Sequence, residues 1–120
     1  LSDVMHVKKE LPIANLDEKM SKSLLTMTKK SFGCIGVINN KKQIVGLITD
    51  GDLRRKLNSK FFAKKAKEIM TKNPTIANKD MLVGEAINLM NTKKITSLFI
   101  CDKKIPIGIV HIHDLLRLTS

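Results

Sequence analysis

The chain has 120 residues, 42% of them hydrophobic and 28% charged, which suits one ordinary domain with a modest core. It begins at Leu1 and shows neither a signal-peptide layout nor an apolar run near the roughly 18 residues of a membrane span. We therefore expect a soluble, cytoplasmic fragment excised from a longer protein, with no membrane partner. Cys34 and Cys101 lie inside apolar runs, where free cysteine behaves as a small hydrophobic residue.

The formal net charge of +11 raises the question of nucleic-acid binding, because clustered basic side chains release counterions from phosphate backbones. Lys and Arg together number 22, but only Arg54, Arg55 and Arg117 supply the guanidinium favoured for base and phosphate recognition. The chain also has no Trp or Tyr on which single-stranded bases could stack. We therefore interpret the lysines as a solvated surface and expect no nucleic-acid partner.

An internal repeat with an offset of about 63 residues organises the chain. Each unit opens with a short strand and continues into a helix whose apolar residues recur every three or four positions. The six residues of these two stripes, all predicted to be buried, are Met20, Leu24, Met27, Val83, Ile87 and Met90. Asp17 and Asp80 precede the two helices and are predicted to cap them.

A β-hairpin follows each of these helices in the sequence. Two β-rich runs joined by a polar turn make up each hairpin, at 34–38 with 43–49 and at 97–101 with 105–111. Pro106 lacks the N–H that donates to a strand ladder, so we expect it at a sheet edge or a bulge.

Each hairpin leads directly into a last helix, predicted at 50–57 and at 113–118. The unit is therefore β-α-β-β-α, and the predicted fold class is α+β. We place the first repeat at 1–57 and the second at 66–120, joined by a polar, Lys-rich linker at 58–65.

The junction between the last strand and the last helix is where binding chemistry is most strongly indicated. In the first unit it reads Gly46-Leu47-Ile48-Thr49-Asp50-Gly51-Asp52. Helix N-termini offer N–H groups to anions, and a carboxylate such as Asp52 can accept bonds from sugar hydroxyls. Thr49 and Asp52 therefore either grip a ribose phosphate or simply cap the helix. Recurrence of the pattern at Gly108 and Asp114 favours binding.

His111 and His113 lie at the second junction and permit three interpretations. One is a metal site, but no further ligand stands at a recognisable zinc spacing, and we predict no metal. In another, one imidazole caps the last helix and the other is solvated. The third is contact with an anionic ligand, since imidazole donates to carboxylate or phosphate. Lys94, Thr96 and Ser97 would add donors to the same cleft.

The repeated Gly-hydrophobic-hydrophobic-Thr-x-x-Asp pattern within a β-α-β-β-α unit resembles the CBS domain, over nearly the whole chain. The resemblance implies tandem CBS repeats packed as a pseudo-twofold pair, with two clefts that bind adenosyl compounds or other nucleotides. It also implies that Thr49 and Asp52 face phosphate and ribose in the first cleft, and that Asp114 faces ribose in the second. His111 stands where the first unit has Thr49, so the two clefts are expected to differ.

A narrower resemblance is to the CBS pair of arabinose 5-phosphate isomerases. It rests on the runs Asp50-Gly51-Asp52-Leu53-Arg54-Arg55, Lys94-Ile95-Thr96-Ser97-Leu98 and His111-Ile112-His113-Asp114-Leu115-Leu116-Arg117. It implies an upstream sugar-isomerase domain, a homodimer that becomes a tetramer in the full-length protein, and no catalytic residue in this chain. The implied effector is CMP-Kdo, from lipopolysaccharide precursor synthesis, or an adenine nucleotide, and no cofactor is required.

The candidate ligand-binding residues are accordingly Thr49, Asp52, Arg55, Thr96, Ser97, His111, His113 and Asp114. Arg55 and its counterpart Arg117 are either ligand contacts or ordinary helix-surface residues. We expect either Asp52→Ala or Asp114→Ala to weaken binding by roughly ten-fold or more and to change fold stability little. The alternatives to a regulatory role are a structural dimerisation module with vestigial clefts and an adenine-nucleotide sensor of another enzyme.

Overall fold

A computed structural model of the chain describes the backbone of His6–Val7 and all of residues 11–30 and 32–117. Its strands are β1 (His6–Val7), β2 (Ile13–Asn15), β3 (Cys34–Ile38), β4 (Ile44–Thr49), β5 (Thr71–Lys72), β6 (Ile76–Asn78), β7 (Ser97–Asp102) and β8 (Ile105–His111). Its helices are α1 (Met20–Lys30), α2 (Asp50–Lys56), α3 (Ala66–Ile69), α4 (Val83–Lys93) and α5 (Ile112–Leu116). The α+β class is confirmed. Residue 118, where the last helix was predicted to end, lies outside the described residues.

The chain divides into two compact units, each with a sheet of four strands within the described residues. Pro12–Pro74 holds the order β2-β3-β4-β5, and Leu1–Leu11 with Thr75–Ser120 holds the order β1-β8-β7-β6. In each sheet a parallel pair, β2/β3 or β6/β7, adjoins an antiparallel hairpin. The fourth strand comes from the other sequence repeat, since β5 joins β4 and β1 joins β8.

These exchanged edge strands pair at equivalent positions in the two sheets. Lys72 lies opposite Gly46, just as Val7 lies opposite Gly108. In the first sheet Met70, which precedes β5, covers Gly46 so closely that an added Cβ would lie 2.8 Å from Met70 Cγ. The absence of a side chain at Gly46 therefore lets the exchanged segment approach β4.

Both hairpins carry a bulge at the same place. The register shifts between Val37 and Ile38 in the first hairpin and between Ile100 and Cys101 in the second. Pro106 pairs with Cys101 directly beside the second bulge. Its predicted position at an irregularity of the ladder is confirmed.

Each unit has its own apolar core. The buried residues of the first are Ala14, Met20, Met27, Ile35, Val37, Ile48, Phe61, Ala66 and Ile69. Those of the second are Ala77, Ala86, Met90, Leu98, Ile100, Val110 and Leu115. The predicted burial of the helical stripes is confirmed for the three methionines, whereas the aliphatic members are only half-buried, namely Leu24, Val83 and Ile87.

The stretch 58–65 does more than connect the repeats. Phe61, in a 3-10 turn spanning Phe61–Ala63, is only 1% exposed and belongs to the first core. The Lys64 carbonyl accepts the Met20 N–H at 2.8 Å, so the same stretch also satisfies a donor at the start of α1. This segment is therefore an integral part of the first unit.

The predicted capping roles of Asp17 and Asp80 are wrong. α1 begins at Met20, too far along the chain for Asp17 to be its N-cap residue. Asp17 instead pairs with Lys67 at 3.0 Å, and the hydrogen bond and charge of that lysine lower the pKa of Asp17. α4 begins after Leu82, whose N–H donates to the Glu85 carboxylate at 3.1 Å.

Candidate functional site

The first strand-to-helix junction is formed by β4 and α2, which follow one another without a loop. Thr49 ends β4 in an extended conformation and is the N-cap residue of α2. Its Oγ1 accepts the Asp52 N–H at 3.4 Å, while its own N–H donates to Asp52 Oδ2 at 3.0 Å. These reciprocal bonds form a capping box, so the local sequence alone positions both side chains.

The carboxylate of Asp52 is buried among hydrogen-bond donors, with 1% of the residue exposed. Oδ2 accepts from the Thr49 N–H and, at 3.2 Å, from the Thr49 hydroxyl. Oδ1 accepts from Arg55 Nη2 and from Thr71 Oγ1, each at 2.7 Å. Because a carboxylate offers about four acceptor positions, these donors use its whole capacity. In this conformation a sugar hydroxyl reaches Asp52 only by displacing one of them.

The charge state of Asp52 follows from the same contacts. Burial by itself raises the pKa of a carboxyl group, because the charged form loses hydration. Here the bonds from Thr71, from the Thr49 N–H and from Arg55 outweigh burial and hold the pKa of Asp52 below its ordinary value. Asp52 is therefore ionised at neutral pH, and the Arg55 guanidinium balances its charge.

Arg55 presents an exposed cation beside this buried carboxylate, with 65% of its side chain accessible. Its guanidinium lies close to Gly51, where an added Cβ would be 3.2 Å from Arg55 Nη1. Arginine has five N–H donors, so its outer edge can donate to a phosphate while its inner edge remains on Asp52. The structure therefore agrees with both interpretations of Arg55, as an exposed helix-surface residue and as an anion contact.

Thr71 is the residue of this group that sequence analysis missed. It lies on β5, opposite Leu47 of β4, and so reaches the junction from the second sequence repeat. A motif search confined to Gly46–Asp52 within one repeat does not find it. The repeat aligns Thr71 with His6, and both residues lie on the exchanged edge strands, but that alignment does not indicate which strand pairs with β4.

The second junction repeats this geometry with a different cap. His111 ends β8 and is the N-cap residue of α5. Its Nδ1 accepts the His113 N–H at 3.1 Å, and Asp114 Oδ2 accepts the His111 N–H at 3.3 Å. An imidazole nitrogen therefore caps α5 as the Thr49 hydroxyl caps α2, but it accepts the N–H two residues on instead of three.

The imidazoles of His111 and His113 also contact each other. The rings stack, with their centroids 4.7 Å apart and an interplanar angle of 24°. His111 is half-buried and His113 is exposed. Burial lowers the pKa of His111, and the charge that His113 can carry lowers it further, while the Asp114 carboxylate opposes both effects in part. The neutral form of His111 is thereby favoured, which is the form that accepts at Nδ1.

Ser97 begins β7, the strand beside the second junction, and Thr96 directly precedes it. Ser97 is opposite His111 in the β7/β8 ladder, and the Thr96 carbonyl accepts the Ile112 N–H at 2.8 Å. The predicted residues thus form one group in each unit: Thr49, Asp52 and Arg55 in the first, and Thr96, Ser97, His111, His113 and Asp114 in the second.

His, Cys, Asp and Glu side chains, the usual metal ligands, form no group of three or more that could hold a metal ion within residues 11–30 and 32–117. At the second junction, His111 Nδ1 and Asp114 Oδ2 are instead engaged as acceptors of backbone N–H groups. Among the described helices, none is both long enough and apolar enough to cross a membrane.

Curated relatives match the chain over 98% of its length. An uncharacterised protein of Rickettsia prowazekii is 40% identical over 118 residues, and the arabinose 5-phosphate isomerase KdsD of Yersinia pestis is 35% identical over 119 residues. KdsD of Escherichia coli K12 is 32% identical over 119 residues. The chain spans 37% of the first relative and 36% of each isomerase, or about a third of their length.

Solved structures share the fold at low sequence identity. The CBS-pair protein CBSX2 from Arabidopsis thaliana has a TM-score of 0.84 at 23% identity, covering 98% of this chain and 91% of that one. A structure of CBSX2 in complex with AMP has a TM-score of 0.82, also at 23% identity, with coverages of 98% and 92%. The family model of the CBS domain matches residues 1–59 and again 66–120. The chain therefore belongs to the CBS domain family and carries two of these domains in tandem.

Proposed function

We propose that this chain is the regulatory CBS pair of an arabinose 5-phosphate isomerase and binds a nucleotide or nucleotide sugar, such as CMP-Kdo, to adjust an attached isomerase domain. The observation that carries the proposal is the match to the Yersinia pestis isomerase, 35% identical over 98% of this chain. The chain spans 36% of that relative, which leaves room for an upstream sugar-isomerase domain in the remainder. We place catalysis in that domain and the whole protein in the cytoplasm.

A nucleotide ligand agrees with both the fold and the chemistry of the junctions. CBSX2, which shares the fold, has been solved in complex with AMP. In the first unit the exposed edge of Arg55 suits a phosphate, and Asp52 suits the hydroxyls of a sugar. In the second unit the imidazoles of His111 and His113 suit a carboxylate or phosphate. A nucleotide sugar acid carries all of these groups, which is why CMP-Kdo is our preferred effector.

Binding at Asp52 would proceed by exchange of donors. Sugar hydroxyls would replace Arg55 on Oδ1, and the released guanidinium would then pair with the ligand phosphate. The buried carboxylate would keep a full set of donors throughout, so no unpaired charge would be left in the interior. Free and bound states would differ at Arg55, and such a difference between states is what allosteric control requires.

We also propose that the chain forms a homodimer, and that the full-length isomerase is a tetramer. Exposed apolar side chains, which include Leu25, Leu82 and Leu116, are candidates for burial on association. Sedimentation velocity at several protein concentrations tests this directly. A monomer at every concentration would contradict the dimer.

A purely structural role is the second candidate, and one observation favours it. Asp52 is already saturated by protein donors, as expected of a side chain that only stabilises the junction. A dimerisation module with vestigial clefts would look like this. In that case the chain would bind no nucleotide at all.

A ligand panel separates these functions. We expect CMP-Kdo to raise the thermal midpoint of the chain above the shifts given by AMP, ATP, S-adenosylmethionine and CMP, because a ligand of the folded state stabilises it by mass action. A response to AMP or ATP alone would indicate an adenine-nucleotide sensor of another enzyme. No response to any of the five would favour the structural module.

Calorimetric titration then locates the site. Arg55→Ala should weaken binding of the best ligand by roughly ten-fold, the loss of one charge-assisted hydrogen bond. Arg54→Ala is the matched control, because Arg54 is an exposed neighbour on α2. Equal affinities for the two variants would show that the first junction is not the site. Turnover of the full-length isomerase with and without the ligand tests regulation itself.

A further inference from the structure

We propose that His111 and His113 form a proton-sensitive cap at the start of α5, closed when both imidazoles are neutral and opened by acid. The proposal is independent of any nucleotide ligand. It rests on two contacts, the bond from the His113 N–H to His111 Nδ1 at 3.1 Å and the stacking of the two rings at 4.7 Å. The hydrogen bond requires the neutral form of His111, and the stack is disfavoured when both rings carry a charge.

Protonation acts on the hydrogen bond and on the stack in two separate ways. An imidazolium carries hydrogen on both ring nitrogens, so Nδ1 of a protonated His111 no longer accepts the His113 N–H. That N–H then lacks its cap partner at the first turn of α5. If His113 is protonated as well, two like charges face each other across the stack. The His113 N–H is therefore capped only while His111 stays neutral.

Ionisable groups around His111 determine the pH at which His111 gains a proton. His113 and Asp114 on α5 act directly on His111 and in opposite directions. Across the ladder β7 presents Ser97, which does not ionise in this range. The other ionisable residues of elements that pack on β8 and α5 are Glu85 and Lys93 of α4, Cys101 and Asp102 of β7, and His6 of β1.

The sign of the pH effect follows from the direction of the shift. The folded-state pKa of His111 lies below its ordinary value of 6.5, so the unfolded chain binds the proton more readily. The contribution of the cap is therefore complete above about pH 6.5 and is lost as the pH falls through the folded pKa of His111.

The first repeat supplies a matched variant for the test. Thr49 occupies the equivalent cap position, and its hydroxyl accepts the backbone N–H three residues on without titrating. His111→Thr should therefore place at residue 111 a hydroxyl that caps the Asp114 N–H, as Thr49 caps that of Asp52, and should leave the His113 N–H without a titrating acceptor. His113→Gln should keep the His111 cap but remove the second titrating ring, and so raise the pKa of His111 towards 6.5.

Nitrogen-15 NMR of the intact chain measures the tautomer and the pKa of His111. At neutral pH we expect His111 to carry its proton on Nε2, with an unprotonated Nδ1 and a pKa below 6.5. Hydrogen exchange of the His113 amide, corrected for its intrinsic pH dependence, should rise about five-fold or more as His111 titrates, and less than about two-fold in His111→Thr.

Three results would overturn the proposal. One is a His111 proton on Nδ1 at neutral pH, which would rule out the acceptor role. Another is a His111 pKa unchanged by His113→Gln. The third is an equal pH dependence of His113 amide exchange in the parent chain and in His111→Thr, since both would then respond to some other group.

Discussion

The hydroxyl of Thr71 donates to Asp52 Oδ1 over 2.7 Å, although the two residues belong to different sequence repeats. β5 carries Thr71 alongside β4 because the edge strands are exchanged between the repeats. The buried carboxylate at the first junction is therefore completed by a residue from the neighbouring repeat. This contact makes Asp52 a structural element of the first unit as well as a candidate ligand group.

Asp52→Ala should destabilise the fold, whereas the sequence alone indicated little change. The substitution leaves the donors of Thr49, Thr71 and Arg55 without their shared acceptor, and we expect a loss of about 2 to 3 kcal/mol in the free energy of unfolding. Urea unfolding at neutral pH measures it. Asp80→Ala, at an exposed carboxylate, is the control and should change stability by less than about 0.5 kcal/mol.

Thr71→Val should lower the stability of the fold at neutral pH and reduce the part of that stability which acid removes. The folded-state pKa of Asp52 lies below its unfolded value, so ionised Asp52 stabilises the fold above that unfolded value, and this is lost as the pH falls through the folded pKa. Losing the Thr71 donor should raise the pKa of Asp52 and cost about 0.5 to 1.5 kcal/mol at neutral pH. NMR titration of the Asp52 carboxyl carbon tests the shift. Thr71→Ser keeps the hydroxyl, and an equal pKa shift in that variant would contradict the assignment.

Gly46→Ala should cost about 1 to 3 kcal/mol, because the new methyl group overlaps Met70 and forces β5 away from β4. Combining it with Met70→Ala should recover part of this loss by making space. Gly84→Ala is the control, since nothing lies within 4 Å of the added Cβ, and it should stabilise α4 by up to about 1 kcal/mol. Thermal unfolding of these three variants and of Met70→Ala alone decides the matter. Similar losses for Gly46→Ala with and without Met70 would exclude this overlap as the cause.

Phe61→Ala should cost about 3 to 5 kcal/mol, as expected for an aromatic side chain removed from a core. Phe62 is its natural control, because it is the next residue and is 52% exposed. Its ring packs edge to face on that of Phe61, with the ring centroids 5.4 Å apart. Phe62→Ala should therefore lower the free energy of unfolding by less than about 1.5 kcal/mol. Guanidinium unfolding compares the two. Equal losses would mean that 58–65 is the passive linker expected from its composition.

The two thiols should resist modification by a disulfide reagent in the folded chain. Burial raises the pKa of Cys34 to about 12, helped by the nearby charge of Asp50, and burial raises the pKa of Cys101 to about 11. Since the thiolate is the reactive form, both should react with a disulfide reagent at pH 8 at least about ten-fold more slowly than in urea. Reaction at similar rates with and without urea would show that these sites open readily.

Local sequence was sufficient where neighbouring residues decide the structure. The β-rich apolar runs placed β3 and β8 at their observed residues, and the Thr-x-x-Asp spacing at Thr49 indicated the capping box of α2. Pro106 was correctly expected beside an irregularity, because its missing donor is a property of the residue itself. Asp80 is not the cap of α4, because that helix begins at Val83 and the N–H of Leu82, its N-cap residue, donates to the Glu85 carboxylate.

By itself the sequence determined the repeat, the β-α-β-β-α order, and the cap and acid of each junction, because these depend on spacing along one stretch of chain. Tertiary structure alone decided that Thr71 completes the donors of Asp52 and that Phe61 joins the first core. It also decided that His111 acts through its Nδ1, which accepts a backbone N–H, and not through a positive charge. Pairing of edge strands and burial of a side chain depend on which distant segments of the chain come into contact. Periodicity within a single repeat does not specify those contacts.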